Sequence, residues 1–278
     1  MKNFLFLVDE KFNNFKVVDY LKALGISAEI IKKIKYGHIE ISDKVCQNIN
    51  DRVQSGQVIK INLPPDKSNP YIMPKLAPIK VVYEDEYILA VVKEKGELTH
   101  NSRSNLALSL DQKVCGYFLP NEFTFRAINR LDRDTKGIVL IAKDMLTASL
   151  LGEQMKNGDI KKTYLALVKG RATKKHFTIE KPIKRENAGG MKRVVGDGGK
   201  YALTECWVLE EKDNLTTLKV VLHTGRTHQI RVHLASVGLP LYADGLYGEK
   251  VQGQEYSLVA KSLEFTHPFT KKRIKLEC

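Results

Sequence analysis

Apolar residues recur at two different periods along the chain, and the change of period divides it. Val17, Val18, Leu21 and Leu24 fall at helical spacing, Gly25 ends that run, Ser27 can cap the next, and Ile30, Ile31 and Ile34 give a second helix its apolar face. Gly37 closes this second helix. His38–Ser42 and Val58–Leu63 then alternate as strands, with a turn at Val53-Gln54-Ser55-Gly56-Gln57 before the second. Residues 1–64 are thus expected to form a small αβ unit. Prolines at 64, 65, 70, 74 and 78 predict a stiff, extended linker over 65–78.

Beyond the linker the strand period dominates. Val81–Val92 gives two strand-like halves around Glu84-Asp85-Glu86, Ile138–Ala142 is a continuous apolar run suited to a sheet core, and Ile160–Val168, Tyr201–Val208 and Leu215–Leu222 alternate. Helical spacing returns at Leu106–Leu119 and Met145–Met155, and Leu234–Gly238 reads as a short helix with a glycine stop. Lys181–Lys200 reads as loop. The fold class expected is α+β: the small N-terminal unit, then a larger domain over 79–278 built on a mixed, mainly antiparallel sheet flanked by helices and loops.

Composition narrows the setting. No apolar run approaches the roughly 20 residues of a membrane span, so no membrane partner is expected. The apolar patch near the N-terminus is too short for a signal peptide. The four cysteines lie far apart with no C-x-x-C pair, which points to free thiols in a reducing cytoplasm. The excess of 45 Lys and Arg over 32 Asp and Glu, a net charge of +13, suits a polyanionic partner such as RNA. A monomer is the default state.

Candidate chemistry concentrates in two stretches. In Ala127–Asp144, Arg130, Asp132, Arg133, Asp134 and Lys136 crowd into a turn that runs straight into the apolar strand, so a carboxylate flanked by guanidinium groups stands at a strand mouth. In Leu222–Gly248, Arg226 and Arg231 are candidates for holding phosphate. His223, His228 and His233 recur every five residues, a spacing that suits no single helical metal face, so no metal is expected. Asp132 and Asp134, two apart and expected on one strand face, would also suit a hydrolytic carboxylate pair. A silent RNA-binding or ribosome-assembly factor is the non-enzymatic alternative.

NRLDRDTKG at 129–137, KTYLALVKG at 162–170 and TGRTHQIRVHLASVGLPLYADGLYG at 224–248 resemble, in order and spacing, the three signature blocks of the RluA family of pseudouridine synthases. Asn129 and Lys136 depart from the usual pattern. The resemblance implies isomerisation of uridine to pseudouridine within RNA, preferably large-subunit ribosomal RNA, with no cofactor. It implies Asp132 as nucleophile or base, Arg231 paired with it, Tyr164 against the uracil and Arg130 in the gap left by the flipped nucleotide. Arg226 and His228 are expected at the substrate. Residues 15–64 resemble an S-four-type RNA-binding module, in which Lys32, Lys33 and Lys35 would face RNA.

Overall fold

The computed structural model describes residues 2–64, 69–101 and 108–278. Two sheets organise it. The smaller has four strands in the order β1 (Lys2–Leu7), β4 (Val58–Leu63), β2 (Ile39–Ile41), β3 (Lys44–Val45), all antiparallel. Helices α1 (Val17–Ala23) and α2 (Ala28–Ile34) cover it, burying Val17, Tyr20, Leu21, Ile30, Ile31 and Ile34. The Ser27 hydroxyl accepts from the Ile30 backbone N–H at 3.4 Å, which caps α2.

Strand β1 was hidden in the sequence because its apolar residues sit on both faces: Phe4 is buried while Leu5 and Leu7 are exposed. It pairs with β4 along its whole length.

The larger sheet has nine strands. It runs β5 (Lys80–Glu84), β6 (Ile88–Lys93), β7 (Lys136–Ala142), β14 (Leu258–Thr266), β8 (Lys161–Lys169), β13 (Leu215–Leu222), β12 (Leu203–Lys212), β9 (His176–Glu180), with β15 (Arg273–Glu277) on β14. Every pairing is antiparallel except β7 with β14. That parallel contact explains Gly137. Its φ is 134°, and a Cβ there would lie 2.3 Å from the Ala260 carbonyl oxygen, so no other residue fits at the mouth of β7.

Each face of the sheet has its own core. One buries Leu89, Val91, Val139, Ile141, Ala166 and Val220 against α3 (Leu110–Tyr117) and α5 (Gln229–Ala235). The other buries Ile88, Ala90, Ile138, Leu140 and Phe265 against Leu151 of α4 (Met145–Asn157). Helix α4 also serves the small sheet: Leu146 and Leu150 enter its core, and the Ser149 hydroxyl accepts from the Ser27 N–H at 2.8 Å and donates to the Gly25 carbonyl at 3.0 Å.

Several expected boundaries move. The helix expected over Leu106–Leu119 is described only from Leu110, and part of the expected linker, 65–68, also lies outside the described residues. The described remainder of that linker runs against α3, where the Lys75 N–H donates to the Gln112 carbonyl at 3.0 Å. The stretch read as loop over Lys181–Lys200 holds a hairpin, β10 (Ile183–Arg185) with β11 (Arg193–Val195).

The helix expected at Leu234–Gly238 is α5, which begins at Gln229 and ends at Ala235. Its first turn was masked by polar residues that are in fact buried, Gln229, Arg231 and His233. No described helix is long and apolar enough to cross a membrane.

Candidate active site

Two loops and a strand converge on one cavity of about 740 Å³, lined by the turn before β7, by β8 and by the loop leading into α5. Arg130, Asp132, Lys162, Tyr164, Arg226, His228 and Arg231 all border it. Two stretches about ninety residues apart in sequence thus meet at one opening.

The turn carrying Asp132 is held on both sides. Upstream, the Thr99 hydroxyl donates to the Leu131 carbonyl at 3.1 Å and accepts from the Leu131 N–H at 3.3 Å. Downstream, the Thr135 N–H donates to the Asp132 carbonyl at 3.1 Å, and the buried Lys93 ammonium donates to the Arg133 carbonyl at 2.8 Å. Lys93 also donates to the carbonyls of Glu94 and Glu97 at 2.9 and 2.7 Å. Burial pulls its pKa down to about 8 against the neighbouring carboxylates.

Asn129, which stands where the resemblance has a histidine, is a backbone staple. Its amide donates to the Ile138 carbonyl at 2.9 Å and accepts from the Leu140 N–H at 2.8 Å. Lys136 ion-pairs with Glu94 at 2.8 Å.

The second loop is pinned by Gln229. Its side chain donates to the Leu203 carbonyl and the Thr204 hydroxyl, both at 3.0 Å, and accepts from the Thr224 hydroxyl at 2.8 Å and the Arg226 N–H at 2.9 Å. His228, directly before α5, sits in left-handed backbone at φ 57°. That costs a non-glycine residue free energy and is the kind of strain that functional sites hold.

Arg231 forms a bidentate pair with Asp244, both bonds 2.8 Å, inside the protein. Its third nitrogen, Nη1, is 3.6 Å from Asp132 Oδ2. The expected pairing of Arg231 with Asp132 is therefore the secondary contact, and Asp244, which local sequence gave no reason to single out, is the primary one. Tyr247 and Tyr256 stack on the guanidinium at 5.0 and 4.5 Å.

His228 faces the same carboxylate, its Nε2 being 3.9 Å from Asp132 Oδ2. The Tyr247 oxygen accepts from the Arg193 N–H at 2.8 Å and shares a hydrogen bond with His228 Nδ1, also at 2.8 Å, which fixes the imidazole with Nε2 towards Asp132. Burial holds His228 below the usual histidine range, so it is neutral near pH 7.

Tyr164 is buried. Burial, and then the Asp132 charge, push its phenol well above the usual range, so it keeps its proton.

Other expectations are redistributed. Asp132 and Asp134 do not share a strand face: both precede β7, and Asp134 is tied to Arg133 by two bonds of 2.8 and 3.1 Å. The carboxylate pair for hydrolysis is thereby broken up.

The three evenly spaced histidines go to three different tasks. His223 meets Glu205 at 3.0 Å, His228 turns to Asp132, and buried His233 donates from Nε2 to the Lys181 carbonyl at 2.9 Å. Among the described residues no three metal-binding side chains come together. Arg226 is drawn to the Tyr201 carbonyl at 2.8 Å. Lys32, Lys33 and Lys35 lie on α2 and just beyond it and do not line the cavity; Lys33 pairs with Glu29 at 2.9 Å.

Known proteins similar to this chain share one family description. Residues 87–236 match the family model described as RNA pseudouridylate synthase. The uncharacterized RNA pseudouridine synthase YjbO of Bacillus subtilis is 31% identical over 265 residues, covering 93% of each chain. The ribosomal large subunit pseudouridine synthase D of Nitrosomonas europaea is 31% identical over 238 residues, 81% of this chain and 69% of that one. Among solved structures, human RNA Pseudouridylate Synthase Domain Containing 1 superposes with a TM-score of 0.61 at 26% identity, covering 72% of this chain and 83% of that one. The family model and the sequence relatives place the chain in the RNA pseudouridylate synthase family, as a pseudouridine synthase.

Proposed function

We propose that this synthase isomerises one uridine of large-subunit ribosomal RNA, with Asp132 as the reacting carboxylate. The observation that carries the reading is that Asp132 is the one carboxylate among the described residues lining the cavity, facing Arg231 at 3.6 Å and His228 at 3.9 Å. A cation and an imidazole on either side hold such a carboxylate aimed into the cavity. It acts on the ribose, as nucleophile at the anomeric carbon or as base at the 2′ carbon, so that the N-glycosidic bond breaks, the base turns and a carbon–carbon bond forms.

Tyr164 lies against the uracil, and being neutral it serves as a stacking surface and hydrogen-bond donor during loss of the carbon 5 proton. Arg130, exposed at the rim, takes the space the flipped nucleotide leaves. Ribosomal RNA as substrate is supported by relatives described as ribosomal large subunit pseudouridine synthase D, in Nitrosomonas europaea and Neisseria meningitidis.

The N-terminal unit, residues 1–64, is on this reading an S-four-type module that grips the RNA outside the cavity through Lys32, Lys33 and Lys35, with 65–78 as connector and 79–278 as catalytic domain. Two helices packed on a sheet, and a net charge of +13, support it. The test is pseudouridine mapping by carbodiimide-dependent reverse-transcription stops on total RNA from cells with and without the gene. A single stop lost from large-subunit RNA is the expected result; loss from transfer RNA alone would move the substrate, and no loss would end the proposal.

A further inference from the structure

A buried ammonium group is ordinarily held by acceptors, because an unpaired charge out of water is expensive. Lys93 obeys this rule with its three carbonyls. Lys162 differs. As a residue it is only 9% exposed and among the described residues it has no hydrogen-bond or ion-pair partner, but its Nζ is not enclosed: the stem is buried and the ammonium opens into the cavity.

Its position gives that isolation a direction. Lys162 is two residues before Tyr164 on β8, so both side chains leave the same face of the sheet, and both line the cavity. The ammonium lies beside the loop that leads to α5: a Cβ on Gly225 would sit 3.8 Å from Lys162 Nζ. Burial lowers its pKa, with no neighbouring charge to offset the effect.

The other cations around the cavity are mostly spoken for. Lys156 has Glu153 at 3.2 Å, Arg226 the Tyr201 carbonyl and Arg231 the Asp244 carboxylate. Asp132 already faces Arg231 and His228. The protein thus presents to the cavity a positive charge on a buried stem, with no anion of its own for it. RNA supplies one anion per nucleotide, the phosphodiester, and a full charge meets such an ammonium better than a uracil carbonyl does.

The geometry points to Lys162 as the seat of a phosphodiester next to the flipped uridine. It is a positioning residue: it anchors the backbone of the target nucleotide while Asp132 meets the sugar and Tyr164 the base. This rests on the synthase reading above, and it adds a specific anion subsite to it.

Two measurements test it. In the first, protein labelled with 15N-lysine is titrated with pH, with and without a short oligouridylate, and the Lys162 ammonium resonance is followed. A bound phosphate raises its pKa; an ammonium unmoved by saturating oligouridylate overturns the proposal.

In the second, a synthetic RNA carrying the mapped uridine has a neutral methylphosphonate at its 5′ or its 3′ linkage. The intact enzyme should lose about 10- to 100-fold in kcat/KM on one of the two, the worth of one charge-assisted hydrogen bond. Lys162→Met should lose as much on unmodified RNA and nothing further on the neutral linkage, and Lys162→Arg should recover most of the rate. Because methionine refills the buried stem and no protein partner of the ammonium is lost, the variant should fold. Lys162→Met that remains as sensitive to the neutral linkage as the intact enzyme refutes the subsite. An intact enzyme that converts no uridine refutes the synthase reading instead, and the first measurement still decides on Lys162.

Discussion

Replacing Asp244 by Asn separates the two carboxylates that face Arg231. Asp244 is fully buried and makes two 2.8 Å bonds to the guanidinium, whereas the Asp132 side chain is 29% exposed and reaches it only at 3.6 Å. Breaking a buried pair from one side leaves an uncompensated charge, at about 3–5 kcal/mol. Asp132 can take over part of the pairing, so Asp244→Asn should fall near 3 kcal/mol, roughly a 6–12 °C drop in Tm for a chain of this size. Asp132→Asn should stay within about 1 kcal/mol, since it removes one long, partly solvated contact.

Activity should rank the other way. Asp132→Asn should abolish conversion, while Asp244→Asn should slow it by letting Arg231 and the loop into α5 drift. Calorimetry and single-turnover conversion of the mapped RNA read both quantities. The double variant should destabilise by more than the sum of the two, since the fallback partner is then gone. If Asp132→Asn lowers Tm more than Asp244→Asn does, the assignment of Asp244 as the primary partner is wrong.

Three further outcomes follow from the same coordinates. Gly137→Ala forces a Cβ to 2.3 Å from the Ala260 carbonyl at positive φ, and should destabilise by about 3 kcal/mol or more, read as a lower urea midpoint; an unchanged midpoint contradicts the β7–β14 contact. Lys93 has its folded pKa pushed down to about 8, below the ordinary lysine value of about 10.4, so the unfolded chain binds more protons between them. The stability difference between the intact protein and Lys93→Met should therefore rise with pH across that window and be flat below it, and a difference independent of pH would sink the assignment. Burial also lowers the pKa of His100, His228 and His233, so their penalty is absent above the ordinary histidine value of about 6.5 and grows as pH falls below it. Urea midpoints should drop on acidification from neutral pH, less steeply in His233→Gln; equal slopes in the two proteins would contradict it.

What the sequence disclosed, and what it withheld, divides along a physical line. Strands β7, β8 and β13 were legible because burial on one or both faces writes itself as apolar runs or alternation. The start of α5 was not, because Gln229, Arg231 and His233 are buried polar residues satisfied by partners elsewhere in the chain.

The same holds in the site. Asp132, Tyr164 and Arg231 stood out through the three motif blocks, and the cavity does bring them together. Thr99 and Lys93, which hold those residues in place, carry no local pattern, and Asp244, though inside the third block, is not marked there as the partner of Arg231. Lys93 reaches its turn 40 residues away and Arg231 its carboxylate 13 residues away, and nothing in spacing marks such pairs. Lys162 lay inside a recognised block, but its lack of a partner is visible only in three dimensions.

The central claim is tested most directly with purified protein and large-subunit RNA from cells lacking the gene. The intact enzyme should restore one pseudouridine at the position lost in vivo, with no added cofactor, and Asp132→Asn, folded to within a few degrees of the same Tm, should restore none. Restoration by Asp132→Asn at the rate of the intact enzyme would contradict the account at its core.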